Sequence, residues 1–307
     1  MTFTLLRRSQ VANVHVASCH LALQHYGRTF CGHRLHTEGN MASKRAHLIV
    51  GGFPIGSTAG HDMDFARITL LQKLYDGGYQ TTVANDFADI GERLHGVNLL
   101  VTYVAGPYPN DAQCQEMEQW MADGGRWFAL HGTSGGRAAR IEGSRRRRMV
   151  RLAHHDALGA FFLNHPPLSK FKVEVQADHP ITAGLPANFE TSDELYLVEP
   201  VGRSQTLLTT ELPKDPSPPG FGFVYDEDTS VREDGKTRVL GLERTVGKGA
   251  VVYVALGHCH SPETNGQPLV DESVGAGGKT PMVFRGSWET EAFNTILDNA
   301  VRWGAAA

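Results

Sequence analysis

The chain has few cysteines for its 307 residues, and it has no long apolar run. Its four thiols are spaced like neither a zinc ribbon nor a disulfide framework; they are Cys19, Cys31, Cys114 and Cys259. Such usage is typical of a reducing compartment, so we predict a cytoplasmic protein. No apolar stretch approaches the roughly 18 residues that a membrane-spanning helix needs, and no membrane partner is therefore expected.

An excess of basic residues is also missing. With 29 lysines and arginines against 33 aspartates and glutamates, the formal net charge is −4, which gives no indication of a nucleic-acid partner. Internal repeats are absent as well. Hydrophobic residues make up 41% of the chain, which is enough for a large core in either one large α/β domain or two small ones.

Residues 1–40 differ from the rest of the chain. They are rich in histidine, cysteine and arginine without a periodic pattern, and they lack the order of segments found in a signal peptide. We therefore expect the native protein to begin at Met41, with residues 1–40 as a disordered or non-native extension and residues 41–307 as a single α/β domain. The alternative is a metal-binding arm whose ligands are His15, Cys19, His20, Cys31 and His33.

The first half of that domain alternates between predicted strands and helices. Short apolar runs predict strands at residues 47–52, 80–84, 98–104 and 126–130. A helix capped by Asp62 or Asp64 follows the first strand, and a helix capped by Asn110, with Gln113 completing a capping box, follows the third. The apolar face expected for the first helix consists of Phe65, Ile68, Leu71 and Tyr75. Strands alternating with helices predict right-handed crossovers and a parallel sheet.

The second half is richer in extended segments. Strands are predicted at residues 171–175, 195–198, 206–209, 239–243 and 250–256, of which the last is the strongest. Residues 288–303 are expected to form a closing helix. Residues 213–234, which are rich in proline, glycine and aspartate, are expected to form a surface loop or flap.

Small or polar turns follow four of the predicted strands. They are Gly51-Gly52-Phe53, Gly106-Pro107-Tyr108, His131-Gly132-Thr133 and Gly257-His258-Cys259. Because ligands of open α/β sheets bind beyond the carboxyl ends of the strands, we expect these turns to surround one crevice. Glycine there lets backbone N–H groups approach a ligand closely. From these turns we predict a substrate-binding set of Gly52, Phe53, Tyr108, Gly132 and Thr133.

Several titratable side chains are candidates for the chemistry. His131 and His258 end strands at the expected crevice, where an imidazole exchanges protons near neutral pH. His165 precedes a proline, which favours an extended backbone and a projecting ring, and we assign it to substrate binding. The adjacent Asp193 and Glu194 point to opposite faces of a strand, and we select Glu194 for the crevice. The alternative for each histidine is a neutral ring bonded to backbone, and for Glu194 a solvated strand start.

Other features keep two interpretations. Cys259 is either a nucleophile or an inert buried thiol, and His260 is an alternate to His258. His179 caps a turn or joins the site. The four arginines at residues 145–148 form a solvated loop or a clamp for an anionic ligand.

A divalent metal such as zinc is a further open alternative. Three histidines and a carboxylate are suitable ligands, although the sequence contains no HExxH motif or closely spaced ligand pair. The candidate ligands are His131, His165 and His258.

Five strings, in their order and spacing, resemble the ThuA-like (trehalose utilisation) family: FALHGTSGG, GAFFLNHPP, ADHPITAGLP, FETSDELYLV and GKGAVVYVALGHCHSP. The resemblance extends from about residue 47 to residue 303. It implies a flavodoxin-like three-layer sandwich with a mainly parallel central sheet, related to the class I glutamine amidotransferases. It also implies a role in the metabolism of trehalose, related disaccharides or their keto derivatives.

The resemblance carries over to His131, His165, Glu194 and His258. Class I amidotransferases place a nucleophilic cysteine at the strand-to-helix elbow where this chain has His131, so glutaminase activity is not expected, because thioester chemistry needs a thiolate. The chain departs from the family's pattern in the arginine run, in the loop at 213–234 and in residues 273–279. We expect these departures to reshape the mouth of the site, which puts trehalose itself in question as the substrate.

Together these observations predict a hydrolase or related enzyme that acts on a sugar or keto-sugar by His/Glu acid–base or metal-assisted chemistry. His131 and His258 would handle protons, Glu194 would orient one of them or act as acid or base, and His165 would bind substrate hydroxyls or a metal. The alternatives are a non-catalytic sugar-binding or regulatory module on the same fold and a metal-dependent hydrolase. Aromatic residues such as Trp288 are candidates for a homo-oligomer interface.

Overall fold

The computed structural model describes residues 44–306, and the predictions for residues 1–40 and for a start at Met41 lie outside this range. Its strands are β1 (Arg45–Gly52), β2 (Gln80–Ala84), β3 (Leu99–Ala105), β4 (Arg126–Leu130), β5 (Arg137–Arg140), β6 (Arg147–Val150), β7 (Ala160–Asn164), β8 (Ser169–Val175), β9 (Asn188–Asp193), β10 (Leu197–Pro200), β11 (Gln205–Glu211), β12 (Thr237–Val246) and β13 (Gly249–Val254). Its helices are α1 (Met63–Asp76), α2 (Ile90–Arg93), α3 (Asp111–Ala122), α4 (His154–Leu158) and α5 (Glu291–Ala305).

Nine of these strands form one sheet, in the order β2-β1-β3-β4-β13-β12-β11-β8-β9. Strands β2, β1, β3, β4 and β13 are mutually parallel. Each later pair is antiparallel, so β11 and β9 again share the direction of the first five strands, and β12 and β8 oppose it. The predicted α/β fold with a mainly parallel central sheet is confirmed.

Helices cover the sheet on two sides. Helices α1 and α5 pack against each other and against β3, whereas α3 packs against α2, α4 and β13. Strands β3 and β13 are buried along nearly their whole length, and successive side chains of a strand point to opposite faces. The two helix groups therefore form the outer layers of a three-layer sandwich.

Local sequence signals set the helix starts. The Asp62 side chain accepts a hydrogen bond from the Phe65 N–H at the start of α1, and Asn110 and Gln113 form the predicted capping box of α3. The closing helix begins later than expected, at Glu291, because Thr290 is its N-cap. In the described part of the chain, no helix combines the length and the apolar character that crossing a membrane would require.

The turn before the closing helix contains Trp288, in a 3-10 segment at Gly286–Glu289. Its indole N–H donates to the Gly257 carbonyl over 2.7 Å, and the side chain is buried. Trp288 is therefore part of the core and not an exposed aromatic residue of an oligomer interface.

The buried face of α1 is different from the one predicted. It consists of Met63, Ala66, Leu70 and Leu74, whereas Ile68 is 68% and Tyr75 74% exposed. Both sets recur at helical spacing, so the helix carries two apolar stripes. Periodicity alone does not decide which stripe meets the sheet.

The chain holds two hairpins that sequence patterns did not show. Strands β5 and β6 form one of them, so the arginine run at residues 145–148 ends inside a strand and not in a loop. Strands β8 and β9 form the other, which joins β11 through only two residue pairs. The carboxyl end of β9 lies beside the carboxyl end of β13, because Asp193 binds the backbone that follows β13.

Shortening a buried residue of α1 tests which face meets the sheet. Replacing the fully buried Leu74 with alanine leaves a cavity, and we expect it to lower the free energy of unfolding by about 2–5 kcal/mol. The matched change Ile68→Ala on the exposed stripe should shift it by about 0.5 kcal/mol or less. Urea unfolding followed by circular dichroism measures both. Equal losses for the two variants would contradict the observed helix orientation.

Candidate functional site

A cavity of about 630 Å³ opens at the carboxyl edge of the parallel strands. Residues from all four of the predicted turns line it, including Phe53, Gly106, Gly132 and His258. The turns are brought together because β1, β3, β4 and β13 are neighbours and end at the same edge. The strand order thus produces the crevice expected from the sequence.

Three histidines that are distant in sequence surround the Glu194 carboxylate. One oxygen, Oε2, lies 3.2 Å from His131 Nε2 and 3.2 Å from His258 Nδ1. The other, Oε1, lies 3.6 Å from His165 Nε2 and accepts a hydrogen bond from the Gln267 side-chain amide. His131, His258 and Glu194 are buried, whereas His165 is partly exposed towards the cavity.

A fourth histidine, His61, completes this group and was missed by sequence reasoning. Donor atoms of His61, His131, His258 and Glu194 all lie within 4.8 Å of one another. His61 precedes the Asp62 cap of α1, in the loop that follows β1. The rule that ligands bind beyond the carboxyl ends of parallel strands would have found His61 if it had been applied to the whole loop between β1 and α1.

Backbone carbonyls fix which nitrogen of two of these rings carries the proton. His131 Nδ1 lies 2.8 Å from the Ala255 carbonyl oxygen, and His61 Nδ1 lies 2.9 Å from that of Ala59. A carbonyl only accepts, so Nδ1 donates in both rings. In the neutral tautomer Nε2 then carries a lone pair, and both Nε2 atoms are buried without a hydrogen-bond partner.

A histidine pair fixes the proton of His258 in the same way. His260 Nε2 lies 2.9 Å from the Pro281 carbonyl oxygen and therefore donates to it. In the neutral ring of His260, Nδ1 is then an acceptor, and His258 Nε2 donates to it over 3.1 Å. The lone pair of His258 is left on Nδ1, the atom that faces Glu194 and has no hydrogen-bond partner.

Burial and mutual proximity keep this group in a defined charge state. Burial lowers the pKa of His61 well below its ordinary value, and His258 and His131 beside it lower it further. For Glu194, burial is the largest influence and raises the pKa, but His165, His258 and His131 together hold the pKa well below its ordinary value. The Glu194 carboxylate is therefore ionised, and the ring nitrogens that face it donate to it only when the rings are protonated.

Asp193 places Glu194 in the cluster. Its Oδ1 accepts from the backbone N–H of His258 over 2.9 Å and of Glu194 over 2.8 Å, and its Oδ2 accepts from Gly257 N–H over 2.8 Å and from the Ser287 hydroxyl. These contacts join the end of β9 to the end of β13. Burial raises the pKa of Asp193. The two adjacent carboxylates therefore diverge as predicted: Asp193 binds backbone and Glu194 lines the cavity.

His131 occupies a tight elbow between β4 and the 3-10 turn His131–Ser134. Its φ of +44° lies in the left-handed region, which a residue with a Cβ adopts at a cost of about 1–3 kcal/mol. The following Gly132 packs closely, since a Cβ there would lie 2.7 Å from the Val104 carbonyl oxygen. The elbow directs the His131 ring towards Glu194.

The remaining predicted binding residues divide into two groups. Phe53, Tyr108, Gly132 and His165 line the cavity. Gly52 and Thr133 do not. The backbone of Gly52 packs against Ser57, and the Thr133 hydroxyl donates to the Thr102 carbonyl in the core. The strand-edge rule locates the edge but not the direction of each side chain.

The alternates from the sequence lie away from the cluster or take another role. Cys259 is buried against Tyr103, and burial raises the pKa of its thiol to about 12, so it is not a nucleophile at neutral pH. His179 accepts from the Ile181 N–H and pairs with Glu243 over 3.1 Å, as a turn-capping residue does. His260 orients His258.

The departures from the family pattern are distributed unevenly around the mouth. Arg147 from the arginine run lines the cavity, whereas Arg148 pairs with Asp226 over 2.8 Å. Phe223 of the loop at residues 213–234 lines it as well, opposite Phe162. Residues 273–279 do not contribute to the wall.

Comparison with known proteins gives a family match over most of the chain. The ThuA family model, described as trehalose utilisation, matches residues 55–277. No protein with a curated description matches the chain.

Two solved structures support the fold. A ThuA-like protein from Bacteroides uniformis ATCC 8492 is 21% identical, with a TM-score of 0.55 and coverage of 86% of this chain and 92% of that one. A ThuA-like protein from Parabacteroides merdae ATCC 43184 is 15% identical, with a TM-score of 0.50 and coverage of 86% of this chain and 90% of that one. At these identities the likeness concerns the fold alone.

The reactivity of the two described cysteines tests whether their thiols are as buried as the structure shows. Burial raises the pKa of both Cys114 and Cys259 to about 12, so at pH 8 fewer than about one molecule in a thousand carries a thiolate at either position. We expect iodoacetamide to leave both unmodified in the native protein and to modify both after unfolding in urea. Peptide mass mapping measures the two sites separately. Rapid native labelling of Cys259 would contradict its exclusion as a nucleophile.

Proposed function

This chain belongs to the ThuA family, and from that membership and the cavity we propose that it acts on a sugar or keto-sugar, such as a trehalose-related disaccharide or its derivative. We also propose that it does so in the cytoplasm, because Cys114 and Cys259 are both free thiols. The observation that carries the proposal is the buried Glu194 carboxylate with its ring of imidazoles at the floor of the cavity.

The walls and the floor suit different parts of such a ligand. Several aromatic rings line the walls, among them Tyr108, Phe162, Tyr196 and Phe223. Flat rings of this kind pack against the C–H faces of a pyranose, and a cavity of about 630 Å³ has room for more than one sugar ring. The polar floor is left to meet the hydroxyl or carbonyl oxygens at one end of the ligand.

His165 differs from the other imidazoles and is the best-placed group for proton transfer. Its Nδ1 donates to the Pro166 carbonyl over 2.9 Å, so its Nε2 faces the cavity and Glu194 Oε1. Unlike His131 and His258 it is partly exposed, so it has access both to a bound ligand and to solvent. A positioned imidazole of this kind exchanges protons with a substrate near neutral pH.

The buried group formed by Glu194, His131 and His258 supplies the second half of the chemistry. In one form, the free nitrogen of His258 at the cavity wall accepts a proton from a substrate hydroxyl or from the carbon beside a keto group, and His131 supports Glu194 from beneath. In the other, His131, His258 and Glu194 would hold a metal ion, which would polarise that oxygen. Either form suits a hydrolase or a related enzyme acting on a keto-sugar.

Turnover of a substrate panel tests the proposal. We expect the purified chain to convert at least one member of a set of disaccharides and their keto derivatives, followed by mass spectrometry. His165→Asn should lower kcat by about 100-fold or more, since a general acid–base group contributes roughly 10²–10⁴-fold. His131→Ala should remove most turnover in either form of the chemistry.

The matched control is His179→Asn, because His179 is also largely buried but lies outside the cavity, and it should leave kcat unchanged. Binding of the panel without turnover would show a non-catalytic sugar-binding module instead. Full activity of the His131→Ala variant would refute the assignment of this cavity as the catalytic site.

A further inference from the structure

We propose that His61, His131, His258 and Glu194 form a site for one divalent transition-metal ion, with zinc as the first expectation, at the floor of the cavity. The binding of the ion follows from the arrangement of these four side chains. Its catalytic use, as a Lewis acid on a carbonyl or hydroxyl oxygen of the sugar, rests on the proposed function.

The hydrogen-bond network leaves the cluster without an internal proton donor. His131 and His61 direct their protons to the carbonyls of Ala255 and Ala59, and His258 directs its proton to His260. While the rings are neutral, three nitrogen lone pairs and a carboxylate oxygen consequently meet at the floor of the cavity. Lone pairs of this kind repel one another unless a shared cation lies between them. A divalent ion neutralises the carboxylate and satisfies all three nitrogens together.

The spacing suits a metal ion. With Zn–N and Zn–O bonds of about 2.0–2.1 Å, tetrahedral donors are separated by about 3.3 Å. Glu194 Oε2 lies 3.2 Å from the donor nitrogens of both His131 and His258. The widest separation in the group is at most 4.8 Å, so binding would draw the donor atoms inwards by up to about 1.5 Å. Three imidazoles and one carboxylate are a donor set that zinc, iron, nickel and copper accept.

Each proposed ligand also has an orienting partner. Metal-bound histidines characteristically donate their second N–H to a carbonyl, a carboxylate or water, which fixes the ring and its tautomer. The Ala59 and Ala255 carbonyls take this role for His61 and His131, and His260 takes it for His258. Gln267 donates to the other oxygen of Glu194.

One side of the site faces the cavity. His61, Glu194 and His258 contribute to the cavity wall, whereas His131 lies beneath it. An ion held by the four would therefore meet a ligand from the cavity side, close to His165. A sugar oxygen would join such an ion as a fifth ligand, with the His165 imidazole beside it for proton transfer.

Metal titration of the full chain tests the site without any sugar. After treatment with a chelator, the protein should take up one equivalent of Zn²⁺ or Co²⁺, and bound Co²⁺ should show the visible absorption of nitrogen and oxygen ligation. His61→Gln and Glu194→Gln should each weaken the affinity by about 100-fold or more. His260→Ala, which removes an orienting partner, should weaken it by about 10–100-fold.

His179→Gln is the matched control, because His179 and His61 are both 8% exposed and only His61 lies in the cluster. It should bind the metal like the unaltered chain. Circular dichroism of each metal-free variant shows whether it is folded. If a variant of a metal ligand does not fold, His260→Ala still tests the site, because His260 orients a ligand without being one. An altered cobalt spectrum in that variant shows a positioning role, which a general loss of stability would not produce.

The results separate this site from the proposed function. Stoichiometric metal uptake without turnover of any sugar would support the site and contradict the function. Turnover that survives complete metal removal, with no uptake on titration, would overturn the site and leave the function standing. Uptake that is unchanged in both His61→Gln and Glu194→Gln would place the metal elsewhere in the chain and would also overturn it.

Discussion

The buried carboxylate of Glu194, which faces imidazole nitrogens that have no proton to give it while the rings are neutral, is the constraint on which the rest of the site depends. An ionised carboxylate removed from water costs several kcal/mol unless positive charge or hydrogen-bond donors offset that cost. The nearest donor is the Gln267 amide, on the oxygen that does not face His131 and His258. The other oxygen faces nitrogens that donate only in protonated rings, so with neutral rings the cluster is arranged to receive a cation or a polar ligand.

The fold creates this constraint by joining two distant parts of the sheet. Strand β9 is separated from β13 by three strands in the sheet order, yet Asp193 at its end binds the backbone N–H groups of Gly257 and His258. With its bonds to the Glu194 N–H and the Ser287 hydroxyl, these contacts of Asp193 fix the direction in which the chain leaves β9, and thereby the position of Glu194. The acidic residue that carries no chemistry of its own is thus the one that assembles the site.

The sequence allowed much of the parallel half to be predicted and less of the site. Buried parallel strands are uninterrupted apolar runs, and helix caps are local signals, so both can be recognised without tertiary contacts. His131 and His258 were found because they end such strands. His61 was not, since a loop separates it from β1, and Thr133 was misplaced, because a position at the edge does not fix a rotamer. The position of the end of β9 beside β13 depends on the long-range contacts of Asp193, which produce no periodic pattern in the sequence.

The protonation pattern of the imidazoles tests the central claim most directly. Nitrogen-15 NMR of the metal-free protein at neutral pH distinguishes the two neutral tautomers of histidine from the imidazolium. The structure predicts a proton on Nδ1 alone in His61 and His131 and on Nε2 alone in His258. Doubly protonated rings at His131 and His258, each bonded to Glu194, would contradict the account, because the cluster would then be a closed ion-pair network with no place for a cation.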